Sequence, residues 1–143
     1  MKSSSALRLK DRGLLETILR IANKRKVKLY LVGGYLRDIL LGREKKNPDI
    51  DFCLRRTAIN FGKDVARKIK GGFVILDKTH GCSRVVKRIK DKIYTLDFTD
   101  FRGKTIEDDL LHRDFTINAL SIELEKFFSG GTIENLIIDP YKG

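Results

Sequence analysis

Leu29-Tyr-Leu-Val-Gly-Gly-Tyr-Leu-Arg-Asp-Ile-Leu-Leu-Gly42, with Asp49-Ile-Asp51 just after it, is the stretch that decides how this chain is read. The short apolar run from Leu29 to Val32 predicts a buried strand. Gly33-Gly34 turns the chain. Tyr35 to Leu41 fits a short helix, and Gly42 is its stop signal. Arg43 to Pro48 is a polar loop, and Asp49 to Leu54 is the next strand.

Residues two apart in a strand point to the same face. Asp49 and Asp51 therefore share one face, about 6–7 Å apart. Ile50 and Phe52 face the other way, toward a core. Like charges at that spacing repel unless a cation lies between them. A hard divalent ion such as magnesium suits oxygen donors of this kind, and a solvated strand edge with two acids is the plainer alternative. Asp97, in Tyr94-Thr-Leu-Asp-Phe-Thr99, is a third acid on the outward side of a strand, with Leu96 and Phe98 inward. It either joins a two-metal site for in-line displacement at phosphorus or pairs with one of the many nearby cations. Gly33 and Gly34 have no side chain to block a phosphate, and N–H groups at a helix start favour anions. Arg37 lies one turn into that helix and reaches the same phosphate; Asp38 is placed to cap or pair locally. Neither the Gly-Lys-Ser/Thr loop nor Gly-x-Gly-x-x-Gly occurs. Together these residues point to a nucleoside triphosphate site.

On the N-terminal side, residues 1–12 read as a flexible polar tail, frayed over Met1 to Lys10. Gly13 to Lys24 carries Leu14, Leu15, Ile18, Leu19, Ile21 and Ala22 in a helical stripe. The Lys24-Arg25-Lys26-Val27-Lys28 run follows it, and the helix dipole accounts for cations there without RNA. On the C-terminal side, Thr57 is expected to cap a helix from Ala58 to about Lys70, ended by Gly71-Gly72. Phe73 to Leu76 is a strand. Arg84–Ile89 and Ile93–Phe98 form a hairpin around Lys90-Asp91-Lys92. Thr105-Ile-Glu-Asp108 resembles a capping box opening a helix. Ile122–Leu124 and Ile137–Asp139 are expected to pair across Gly130-Gly131. His80 falls in an exposed loop. The fold class is α/β (α+β), a mixed sheet flanked by helices.

The chain of 143 residues suits one domain, and 41% hydrophobic residues exclude intrinsic disorder. No stretch approaches the roughly 20 apolar residues of a membrane helix. Met1 to Arg12 has no apolar segment of the secretory type. Cys53 and Cys82 are too few for a disulfide framework or zinc site and read as buried thiols in a reducing cytoplasm. Thirty Lys and Arg against 19 Asp and Glu give a formal charge of +11. Such a surface attracts polyanions, although a thermophile-type charged surface accounts for it as well.

The pattern Leu31-Val-Gly-Gly-Tyr-Leu-Arg-Asp-Ile-Leu-Leu-Gly42, then Asp49-Ile-Asp51, then Glu107-Asp-Asp-Leu-Leu-His-Arg-Asp-Phe-Thr-Ile-Asn-Ala-Leu120, then Asp139-Pro-Tyr-Lys-Gly143 resembles a known family. It is similar to the head domain of class II tRNA nucleotidyltransferases (CCA-adding enzymes) and bacterial poly(A) polymerases. These belong to the polymerase-β-like nucleotidyltransferase superfamily. The resemblance spans Leu29 to Gly143 and makes residues 13–143 the head domain. It implies transfer of CMP or AMP from CTP or ATP to a tRNA 3′ end, with Mg2+. A poly(A) polymerase head and a non-catalytic nucleotide- or RNA-binding module of the same fold are the alternatives. The resemblance makes Asp49 and Asp51 the metal-binding pair, and Gly34 and Arg37 triphosphate contacts. Arg113 matches a nucleotide-contacting arginine, and Asp114 and Asn118 share its motif, with helix capping as their plainer role. Arg102 resembles an arginine near the flexible loop of these enzymes. His112 departs from the pattern, standing where a second arginine is usual. In the resembling enzymes neck, body and tail domains follow. The expectation is therefore a truncated chain, favoured by an ending inside a motif region, or a head that works with a partner subunit.

Overall fold

The computed structural model describes residues 9–101, Ile106 and 121–129. The elements, in chain order, are α1 (Leu9–Lys24), β1 (Tyr30–Val32), α2 (Gly34–Leu40), β2 (Asp49–Leu54), α3 (Ala58–Ile69), β3 (Gly72–Asp77), β4 (Cys82–Ile89), β5 (Lys92–Asp100), β6 (Ser121–Glu123) and α4 (Leu124–Phe127). The strands form one sheet in the order β3-β4-β5-β2-β1-β6. The β2–β5 pair is parallel, and the other pairs are antiparallel. The sheet is mixed, as the sequence predicts.

Side-chain alternation divides the sheet into two unlike faces. Leu31, Ile50, Phe52, Leu54, Val85, Leu96 and Phe98 point to one face and are fully buried. The apolar stripes of α1 (Leu15, Ile18), α2 (Leu36) and α3 (Phe61, Val65) close over them, with Leu124 and Phe127 of α4. Phe98 stacks on Phe52 with ring centres 5.0 Å apart and meets Phe61 at 5.2 Å. This aromatic stack ties α3 to the two central strands. The opposite face carries Asp49, Asp51, Asp97 and Arg84.

Three local expectations are corrected. First, α1 begins at Leu9, so residues 9–12 belong to the helix rather than to a tail. The cause is long-range: Asp11 is buried and accepts hydrogen bonds from the hydroxyls of Tyr35 (2.7 Å) and Tyr94. Second, Thr57 does not cap α3. It adopts a left-handed conformation with φ 71°, and its hydroxyl bonds the Arg56 carbonyl. The Ala58 N–H donates instead to Asp100 Oδ1 at 2.9 Å, so the cap comes from the end of β5. Burial raises the Asp100 carboxyl above its usual range, partly offset by that N–H. Third, Leu124 starts α4 rather than ending a strand, and β6 pairs with β1. The expected partner 137–139 lies outside the described residues, as does the helix start at Thr105. Ile106 is helical and buried.

Gly71 follows α3 for a steric reason. A Cβ there would come within 2.9 Å of the Val86 carbonyl oxygen, so only glycine lets the chain pass β4. The left-handed residue that ends the helix is Lys70, with φ 58°.

Candidate active site

Register builds the site row by row. Asp51 of β2 lies opposite Val32 of β1 on one side and Asp97 of β5 on the other. Asp97 in turn lies opposite Arg84 of β4. The next row places Asp49 beside Thr95. The loop ahead of Asp49 is sewn to β5, since the Thr95 N–H donates to the Pro48 carbonyl and the Ile93 N–H to Asn47 Oδ1, each at 3.0 Å. Asp49 is exposed and Asp51 half-buried. The paired carboxylates expected from the sequence thus share a face.

Asp97 shares that face, but its carboxylate is held by Arg84. Nε and Nη2 of Arg84 donate to its two oxygens at 2.8 and 3.0 Å. These bonds and the Asp97 charge hold the guanidinium above its ordinary pKa, and Asp49 adds to the effect. Among the described residues, no three His, Cys, Asp or Glu side chains are grouped to hold a metal ion. Among the described residues, Asp49 and Asp51 are the acids left to offer oxygen donors at the turn, a set that suits a hard divalent cation completed by phosphate and water oxygens.

The glycine turn sits directly against these acids. Gly33 has φ 76°, a conformation that L side chains rarely adopt. A Cβ on Gly33 would lie 3.5 Å from Asp51 Oδ2, so a side chain there would fill the space beside the carboxylate. Arg37 folds back over the turn, its Nη2 3.5 Å from where a Cβ on Gly34 would be. Arg37 also approaches Asp38 at 3.6 Å, the local pairing expected of Asp38. Because α2 has only seven residues, its dipole is weak, and anion attraction here rests on side-chain cations.

Gly33, Gly34, Tyr35, Arg37, Lys45, Asp49 and Asp51 line one cleft of ≈ 370 Å³. Five of these were expected from the sequence. Lys45 and Tyr35 were missed; Lys45 comes from a loop rich in charge, with no local pattern to single it out. Tyr35 is fixed by Asp11, and burial and that charge push its phenol well above the ordinary value. It therefore stays a protonated donor, clamping α1 to the residue that follows the turn. Arg102, Arg113, Asp114 and Asn118 lie outside the described residues. His80 is exposed and paired with Asp77 at 2.8 Å.

Comparison with known proteins is in keeping with this layout. Residues 29–143 match the family described as the poly A polymerase head domain. The chain belongs to this family. It is 38% identical over 113 residues to the CC-adding tRNA nucleotidyltransferase of Synechocystis, covering 79% of this chain and 24% of that protein. It is 30% identical to the A-adding tRNA nucleotidyltransferase of Halalkalibacterium halodurans, covering 91% and 31%. A solved complex of a CCA-adding enzyme with CTP superposes with a TM-score of 0.79 and 28% identity, covering 99% and 32%. The Thermotoga maritima CCA-adding enzyme complexed with tRNA gives 0.76 and 28%, covering 97% and 32%. The head-domain chain thus spans about a quarter to a third of the length of these proteins. Its six-stranded mixed sheet flanked by helices is the polymerase-β-like nucleotidyltransferase fold. The family is one of nucleotidyltransferases, whose chemistry generally depends on a divalent metal. No described helix is long and apolar enough to cross a membrane.

Proposed function

We propose that this chain is the catalytic head of a template-independent tRNA nucleotidyltransferase, adding CMP or AMP from CTP or ATP to a tRNA 3′ end. The observation that carries the reading is the cleft itself, in which Asp49 and Asp51 face a bare glycine turn flanked by Arg37 and Lys45. Asp49 and Asp51 would hold Mg2+, which when bound activates the attacking 3′-hydroxyl and offsets charge at the phosphorus. Gly33 and Gly34 leave room for the triphosphate. Arg37 and Lys45 neutralise it and favour departure of pyrophosphate. Tyr35, held by Asp11, keeps the turn in place. Asp97 lies beside Asp51 with both its oxygens bonded to Arg84, and would join the metal site only on leaving that ion pair. Arg102, Arg113, Asp114 and Asn118 are assigned to the nucleotide on the strength of the family motif. The relatives' names, CC-adding and A-adding, favour this reading over a poly(A) polymerase head. Further domains or a partner subunit would choose the base and grip the tRNA. The setting we infer is cytoplasmic, with both cysteines kept as thiols: Cys53 is buried as expected, and Cys82 is only half-buried.

The test is calorimetric binding of ATP and CTP with and without Mg2+. The reading expects binding that needs the ion and is lost in Asp49→Ala and Asp51→Ala, with the fold retained by circular dichroism. Binding that ignores the ion and both substitutions would make the chain a nucleotide-binding module instead.

A further inference from the structure

A second groove lies at the other end of β1 and β2, away from the carboxylates. Its volume is ≈ 560 Å³, and Lys26, Lys28, Arg55, Arg56, Tyr30 and Phe101 line it. Three distant segments build it: the turn after α1, the end of β2 and the end of β5. Lys26, Lys28, Arg55 and Arg56 are exposed, and among the described residues none of them makes an ion pair. Arg25, also at this groove, is committed: it pairs with Asp64 at 2.9 Å and lies over the Phe61 ring. The helix dipole explains Lys24, in the last turn of α1, but not Lys28, which lies beyond the left-handed turn at Lys26. A neighbouring recess shares Arg25 and adds Arg20, Lys24, Arg67 and Lys68, with Asp64 among them pairing Arg25 and Arg67.

Two features select nucleic acid over a simple anion. The cations repel one another, and a polyanion relieves that repulsion along its length. The rings of Tyr30 and Phe101, 5.8 Å apart, tilted 55° to each other and both half-buried, leave part of their aromatic surface at the groove, where a base could stack. The groove lies on the same face of the sheet as the carboxylates, separated from them by the buried side chains of Val32, Cys53 and Ile106. Asp51 and Cys53 alternate onto one face of β2, and Tyr30 and Phe101 pack around Cys53 and Val32 on that face. From Asp51 to Arg55 the strand advances only about 13 Å.

We propose that this groove is an RNA-backbone site, holding phosphates of the same RNA whose 3′ end enters the carboxylate cleft. The inference rests on the tRNA reading above. It is tested with a fluorescein-labelled tRNA transcript and fluorescence anisotropy over about 50–200 mM KCl. The triple variant Lys28→Ala/Arg55→Ala/Arg56→Ala is compared with Lys63→Ala/Lys78→Ala/Arg88→Ala, which removes equal charge from exposed sites elsewhere. The groove variant should bind at least tenfold more weakly, and its salt slope should fall by about two, at roughly 0.7–0.9 for each phosphate no longer neutralised. The control should keep the wild-type slope. Equal weakening in both variants, or a wild-type slope in the groove variant, would overturn the groove. Mg2+-dependent ATP binding, measured on the same samples, separates the two readings. If it persists while RNA binding ignores the groove substitutions, the groove falls and the catalytic reading stands. If wild-type chain binds RNA through the groove but takes no nucleotide, the catalytic reading falls and the groove stands.

Discussion

The two faces of β2 are built from alternate residues of one six-residue strand, yet they obey different rules. Ile50, Phe52 and Leu54 are fully buried under three helices and gain by being removed from water. Asp49 and Asp51 gain nothing for stability by being together; their mutual repulsion is a cost that a bound cation would remove. The comparison teaches that stability and chemistry can be separated on a single strand. Substitution at Phe52 should unfold the domain, and substitution at Asp49 or Asp51 should spare it.

The widest separation is expected from Phe52→Ala. Loss of its stack with Phe98 should cost about 3–5 kcal/mol in urea denaturation, with ligand binding falling only because the folded fraction falls. Asp51→Ala should do the reverse. It should weaken Mg2+-dependent ATP binding at least a hundredfold, of the size found for a lost charge-stabilising group, and leave the folding stability within about 0.5 kcal/mol of wild type. A parallel loss of stability would break the comparison. Asp11→Ala crosses the two faces. It leaves the Tyr35 and Tyr94 hydroxyls without their acceptor, at about 2 kcal/mol, and should also loosen the glycine turn and weaken ATP binding. Asp11→Asn keeps one acceptor and should restore part of both. Asp100→Ala removes the cap of α3 and should cost about 1 kcal/mol with no effect on ATP, while Asp100→Asn should retain the bond. Because burial raises the Asp100 carboxyl above 3.8, its protonation favours the folded state. That contribution is full below the unfolded value and is lost as pH rises through the raised one. The slope of stability against pH in this window should flatten in Asp100→Asn.

Much of the site was legible because its signals are local. Alternation at Asp49-Ile-Asp51 assigns both faces of β2, and the apolar run into Gly33-Gly34 marks a strand and a turn. What escaped was held by contacts distant in sequence. Asp11 looked like part of a polar tail because its partners are Tyr35 and Tyr94. Thr57 looked like a cap because the true cap, Asp100, is 42 residues away from the N–H it accepts. Lys45 was one cation among many in its loop. Asp97 was left between metal and ion pair, and Arg84 became its partner only when β4 and β5 came into register.

Short-range periodicity and backbone sterics were enough to read most of the described elements, the outward acids and inward apolar residues of β2, and the glycine turn from the sequence. Tertiary structure alone decided which strands flank β2, which carboxylate is neutralised by an arginine, and which cations gather at a groove. Those outcomes depend on side chains meeting across the sheet, and no spacing along the chain encodes a contact until the strands have chosen their neighbours.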